Sequence, residues 1–229
     1  MEASMETKLL CIKMEAKKLL DYRIRKPQVE GKTPAVLFLL HGYGSHEEDL
    51  FSFANYLPQD YLIISLRAPL SLGFGGYAWY SIHFNENQDK WSDDDEAKAA
   101  QEIILYNIDY HLDQFNLSGQ KVSLLGFSQG AILSWAVGLS QPHRIDKIIA
   151  LSGYVNEDIF SYAEAGLDKL RIFSSHGDQD PTLPVEWARK GIEQVKKAGA
   201  SVHYKEYPAG HGINPDNFSD LLAWLNVNA

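Results

Sequence analysis

The sequence predicts an α/β fold in which a mainly parallel sheet lies between layers of helices. Two observations carry the prediction. Continuous apolar runs such as Ala35–Leu40 and Tyr61–Leu66 read as strands covered on both faces. Such runs alternate along the chain with segments of helical periodicity, the pattern of repeated βα units. The chain has 229 residues, 45% of them hydrophobic, with 5 Trp, 10 Phe and 12 Tyr, enough to build a sizeable core. No repeat or linker divides it, so one domain is expected over residues 1–229.

Taken in order, residues 1–8 are polar and expected to be disordered. Leu20, Tyr22 and Ile24 alternate with Asp21, Arg23 and Arg25, which predicts a half-exposed antiparallel strand, with Leu9–Ile12 as its candidate hairpin partner. Pro27 to Pro34 is a polar turn. Ala35–Leu40 runs directly into His41-Gly42-Tyr43-Gly44. Ser45 is expected to cap a helix reaching about Leu57, with Glu48 in the capping-box position. Tyr61–Leu66 is the next buried strand. Arg67–Trp91, rich in glycine and aromatics, reads as a long irregular loop, and such loops are more often functional than passive.

Ser92-Asp93-Asp94-Asp95-Glu96 reads as a helix start, with Ser92 at the N-cap and Asp95 at N3. Carboxylates favour the positive end of a helix, so the acidic run is not a metal site. Ala97, Ala100, Ile104, Ile108, Leu112 and Phe115 continue it as one apolar stripe. Lys121–Phe127 is a strand, and a helix follows from about Gln129. Lys147–Leu151 and Arg171–Ser175 are further strands, with a mixed excursion over Val155–Leu170 between them. A helix over Pro184–Ala198, a strand over Val202–Tyr207 and a terminal helix over Asp216–Asn226 complete the chain.

Within this frame one stretch carries chemistry. Gly126-Phe127-Ser128-Gln129-Gly130 is a Gly-x-Ser-x-Gly turn between a strand and a helix, the context of a nucleophile elbow. The two glycines sit where a Cβ would crowd a tight bend. The helix points its N-terminal N–H groups toward the place where an oxyanion would form. A serine hydroxyl needs a base to take its proton, and the base needs an orienting acid. Hydrolases built on this kind of sheet supply them in the chain order Ser, acid, His. Ser128, Asp180 and His211 stand in that order. His211 has a glycine on either side in a loop after a strand. Asp178 competes for the acid role, and Asp180 is favoured because Pro181 restricts it to an extended conformation. The oxyanion donors expected are the Gln129 N–H and, from the loop after the first buried strand, the Tyr43 N–H. His41 is expected to brace that loop. The other histidines show no paired metal-ligand spacing, and a site made of His176, Asp178 and Asp180 is disfavoured.

Composition narrows the partners. The net charge of −9 argues against nucleic acid or an anionic membrane surface. No segment is apolar enough over a long enough run to span a bilayer, and lysines interrupt the N-terminal apolar runs as they would not in a signal peptide. The single cysteine, Cys11, lies among apolar residues and reads as a small core residue. A cytoplasmic protein without stable membrane association is expected, and a homodimer is left open.

Leu40-His41-Gly42-Tyr43-Gly44, Gly126-Phe127-Ser128-Gln129-Gly130, His176-Gly177-Asp178-Gln179-Asp180 and Gly210-His211 together resemble the phospholipase/carboxylesterase family of α/β-hydrolases, over roughly residues 35–225. That family includes bacterial carboxylesterases and acyl-protein thioesterases. The resemblance implies a seven-stranded core and no cofactor; no metal is expected either, from the histidine spacing above. The resemblance also implies Ser128 as nucleophile, Asp180 and His211 as its partners, and Tyr43 and Gln129 as oxyanion donors. The loop from Pro69 to Phe84 follows a buried strand and so starts at the sheet edge of the catalytic candidates, and its apolar Leu72, Phe74, Tyr77, Trp79 and Tyr80 are expected to line the substrate cleft, with Trp79 as a candidate end wall; the resemblance points the same way. Ser45 and Ser81 stand where many thioesterase-like members carry Asp, which favours ester over protein-thioester substrates. The expected activity is therefore hydrolysis of short- to medium-chain carboxylic esters. The alternative within the family is a thioester or lysophospholipid. A non-catalytic binding protein of this fold would lack a triad member, and none is missing. A nucleotide-binding fold would need a glycine-rich phosphate loop, and none is present.

Overall fold

The computed structural model describes residues 17–84 and 90–228. Leu9–Ile12, Cys11 and the polar residues 1–8 lie outside them. In chain order the strands and helices are β1 (Tyr22–Arg25), β2 (Ala35–Leu40), α1 (Glu48–Phe51), β3 (Tyr61–Leu66), β4 (Leu70–Gly73), β5 (Gly76–Ala78), β6 (Ile82–Phe84), β7 (Lys90–Ser92), α2 (Asp94–Gln114), β8 (Val122–Phe127), α3 (Gln129–Ser140), β9 (Ile145–Leu151), β10 (Arg171–Gly177), α4 (Val185–Lys197), β11 (Val202–Tyr207) and α5 (Pro215–Val227).

A seven-stranded sheet in the order β1-β3-β2-β8-β9-β10-β11 organises the molecule. Only β1 runs antiparallel, against β3; the other pairs are parallel. The central strands are almost wholly buried, as their unbroken apolar sequences require. One face packs Phe38, Leu124 and Ile148 against α2, α3 and α4 through Ile104, Leu133 and Val195. The other packs Leu39, Leu125, Ile149 and Phe173 against α1 and α5 through Leu50, Leu221 and Leu225. This is the three-layer α/β-hydrolase arrangement, with the seven strands the family resemblance implied. Parallel register brings the loops after β2, β8, β10 and β11 out at one edge of the sheet, where ligands sit in such folds.

Several local expectations are corrected. Ser45 does not cap a long helix. Its backbone pairs with Tyr77, with Tyr77 N–H donating to Ser45 O at 2.8 Å, which holds it extended. Its Oγ donates instead to Asp49 Oδ2 at 2.6 Å. The helix proper is the short α1, followed by hydrogen-bonded turns. Ser92 is not the N-cap of α2, because it still belongs to β7, paired with Ile82. Asp93 takes that place and accepts the Glu96 N–H at 3.0 Å. Among the described residues the stretch after Arg67 is not irregular but carries two short antiparallel strand pairs, β4–β5 and β6–β7. In β1 the alternation is also read differently by the fold. Tyr22 is exposed and Arg25 is buried, its guanidinium donating to the carbonyls of Ala54, Leu57, Pro58 and Tyr61. Four backbone acceptors on one cation explain how an arginine is tolerated at the sheet edge.

Candidate active site

Ser128 sits at the junction of β8 and α3 with φ 52° and ψ −115°, a strained conformation for a residue with a side chain. Its neighbours in sequence make the bend possible. A Cβ at Gly130 would lie 1.9 Å from the Leu40 carbonyl oxygen, and one at Gly126 would lie 2.2 Å from that of Gly130. The bend is therefore wedged between β2 and the first turn of α3. Ser128 N–H donates to Leu151 O at 2.9 Å, tying the turn to the neighbouring strand end.

Asp180 follows β10 and His211 follows β11. The two loops are pressed together: a Cβ on Gly177 would come within 2.3 Å of the Ala209 and Gly210 oxygens. Asp178 N–H and Gln179 N–H donate to Tyr207 O and Ala209 O across the gap. The result is a continuous hydrogen-bonded chain. Asp180 Oδ2 accepts from His211 Nδ1 at 2.7 Å, and His211 Nε2 lies 2.9 Å from Ser128 Oγ. With its Nδ1 proton on the carboxylate, the imidazole leaves Nε2 free to accept the serine proton. Asp180 is buried, whereas Asp178 is exposed. Burial pushes the Asp180 pKa upward, but hydrogen bonds from Leu183 N–H, His211 and Thr182 N–H outweigh it and hold the carboxyl below its usual value.

The loop after β2 lies against the same serine. A Cβ on Gly42 would stand 3.4 Å from Ser128 Cβ. His41, fully buried, donates from Nδ1 to Gly42 O at 2.7 Å and accepts the Ala68 N–H on Nε2 at 3.0 Å. Burial is the largest influence on it and lowers its pKa, in keeping with this neutral, bracing tautomer. Tyr43 and Gln129 both line the cavity onto which Ser128 opens. At the first turn of α3 the Gln129 N–H has no intrahelical acceptor by position, so it is available to a ligand. Gln129 has a second part that its motif position did not suggest. Its side chain accepts Trp79 N–H at 2.8 Å and donates to Tyr80 O at 2.7 Å, clamping the segment after β5 over the elbow.

That cavity measures about 720 Å³. Of the five binding residues expected from Pro69–Phe84, only Tyr80 lines it. Trp79 points the other way, into the core, with Nε1 donating to His41 O at 2.9 Å. Tyr77 carries the Arg67 guanidinium over its ring and pairs with the Gly44–Ser45 backbone. Leu72 and Phe74 are exposed at the β4–β5 hairpin. The walls come instead from Ile82, Ile132, Tyr154, Leu183 and Trp187. Tyr154 and Trp187 pack edge to face at 5.2 Å. Tyr154 lies in the excursion after β9 and Trp187 on an exposed position of α4, and no periodicity marks either. Among the described residues no group of three His, Cys, Asp or Glu side chains converges as a metal ion requires. Among them, too, no helix is long and apolar enough to cross a membrane.

Comparisons with known proteins bear on the family and the fold. A family model described as Phospholipase/Carboxylesterase matches residues 23–229. The acyl-protein thioesterase 1 of Kluyveromyces lactis is 27% identical over 208 residues, 83% of this chain and 90% of that protein. Among solved structures, esterase PE8 superposes with a TM-score of 0.75 at 25% identity, covering 92% of this chain and 99% of the other. The Bacillus cereus carboxylesterase superposes with a TM-score of 0.80 at 16% identity, covering 95% and 99%.

Proposed function

The chain belongs to the phospholipase/carboxylesterase family of α/β-hydrolases, and from that premise we propose that it hydrolyses short- to medium-chain carboxylic esters through an acyl-enzyme. The observation that carries the reading is the chain from Asp180 through His211 to Ser128, with both links at 2.9 Å or less. Ser128 Oγ attacks the ester carbonyl carbon while His211 Nε2 takes its proton. The tetrahedral oxyanion is held by the N–H groups of Gln129 and Tyr43. Its collapse breaks the bond to the alcohol, which receives the proton from His211. Water then enters by the same route, deprotonated by His211, and releases the acid and Ser128. Asp180 orients the ring and stabilises it while it is charged. No step uses a metal, so activity is expected to survive EDTA and dialysis, and restoration by Zn²⁺ after chelation would contradict it.

The substrate reading rests on the cavity. Ile132, Leu183 and the Tyr154–Trp187 pair offer apolar surface beside Ser128, with volume for an acyl chain of moderate length. A cytoplasmic small-molecule ester fits the acidic charge and the single cysteine. A second reading, an acyl thioester, is favoured by the name of the Kluyveromyces lactis relative. Fluorophosphonate labelling tests the nucleophile. Hydrolysis of p-nitrophenyl butyrate against a butanoyl thioester then separates the two readings by kcat/KM. A protein that neither labels nor turns over any of these esters would refute the proposal.

A further inference from the structure

We propose that His176 is a positioning residue for the acid of the triad, acting through the Leu183 peptide; the inference rests on the triad reading given above. His176 is at the end of β10 and its side chain is fully buried. Its Nε2 lies 2.8 Å from Leu183 O. A carbonyl oxygen only accepts, so Nε2 carries the ring proton and donates it there. Nδ1 is buried without a hydrogen-bond partner among the described residues, so the Nε2–H is the ring's one donor.

Leu183 is the hinge of this arrangement. Its N–H donates to Asp180 Oδ1 at 2.9 Å, beside the Thr182 N–H at 2.8 Å. The residue that receives the His176 proton on its carbonyl thus presents its own N–H to the acid. The other carboxylate oxygen, Oδ2, which accepts from His211, lies 3.3 Å from His176 Nε2 and so faces the positive end of the same N–H bond. The carboxylate on the neighbouring strand is already engaged. Glu206, opposite His176 in the β10–β11 register, is held by two bonds from Arg189 and one from Tyr204.

Removing the donor leaves a buried carbonyl unsatisfied, and the turn from Gly177 to Leu183 must shift to satisfy it. A displacement of about 1 Å in such a constellation can cost on the order of 100-fold in rate. The test compares His176→Gln, whose amide nitrogen can reach the same carbonyl, with His176→Leu, which fills the space without a donor. Expected is a fall in kcat of roughly 10- to 100-fold for the leucine variant with KM little changed, and recovery of most of that loss by glutamine. Leucine matching wild type, glutamine no better than leucine, or a loss confined to KM would each overturn the proposal.

Should the leucine variant not fold, ¹⁵N NMR of the imidazoles in the wild-type protein decides. Expected is a proton on His176 Nε2 and none on Nδ1; a proton on Nδ1 overturns the proposal. That tautomer is read without any assay of turnover. Failure of the triad reading itself would appear elsewhere, as unchanged labelling and turnover in a Ser128 variant.

Discussion

Ser128 and Asp180 are the residues at which the proposed chemistry is most directly exposed to test. Ser128→Ala should lower esterase kcat by about 10⁴-fold or more, because the three groups act as a unit. Purified variant with near wild-type turnover would remove the mechanism. Asp180→Asn keeps shape but cannot orient and stabilise a charged His211, so a loss of roughly 10³- to 10⁴-fold is expected. Asp178→Asn, at an exposed position without a link to His211, should stay close to wild type. Steady-state kinetics on both variants checks the assignment of the acid. Trp79 behaves differently from its neighbour Tyr80. It is 1% exposed and part of the core, so Trp79→Ala should destabilise by about 3–5 kcal/mol. Denaturant unfolding reads that cost, and the acyl-length preference of whatever remains folded should not move.

At the scale of the element, the elbow and the helix ends show which glycines are irreplaceable. Gly130→Ala drives a methyl to within 1.9 Å of the Leu40 carbonyl oxygen, backbone against backbone, so nothing flexible can give way. Expected is loss of more than about 4 kcal/mol, or no soluble protein. Gly199 ends α4 with φ +99° and open space around its Cα. Gly199→Ala should therefore cost only the left-handed conformation, about 1–2 kcal/mol. Chemical denaturation midpoints of the two variants test the contrast between crowding and conformation.

For the whole molecule, pH and substrate size probe the packing. His111 on α2 is 1% exposed and stands against the rings of Tyr22, Phe38 and Tyr110. Burial pushes its pKa down to about 4. Between that value and about 6.5, where an unfolded histidine titrates, the unfolded chain binds a proton that the folded one refuses. Its contribution to stability is present above about pH 6.5 and is lost as the pH falls through that window toward 4, by up to roughly 3 kcal/mol. His111→Phe should flatten the fall in denaturation midpoint between pH 7 and pH 4.5, and an unchanged slope would show that other groups cause it. Substrate length reads the cavity in the same way. Each buried CH₂ is worth roughly 0.8 kcal/mol, or about fourfold in kcat/KM, until the walls are reached. Ile132→Ala, on the wall beside the elbow, should extend that rise to longer acyl chains in a p-nitrophenyl ester series.

By itself the sequence determined what depends on residues close together in the chain. Gly126, Ser128 and Gly130 are adjacent to the bend they permit, and unbroken apolar runs predict strands buried on both faces wherever the chain places them. The parallel order of those strands then carries Ser128, Asp180 and His211 to one edge, which is why their chain order was informative. The choice between Asp178 and Asp180 was only hinted at by Pro181. It was decided by which carboxylate the turn buries and aims at His211. Tertiary structure alone decided the rest. Consecutive aromatics such as Trp79 and Tyr80 look alike in sequence, yet the Gln129 clamp turns one into the core and the other onto the cavity. Tyr154, Leu183 and Trp187 reach the cavity from segments with no motif, and His176 finds Leu183 only because a tight turn folds the strand end back. Burial and hydrogen-bond partnership arise from packing between segments distant in sequence, and neither periodicity nor spacing records them.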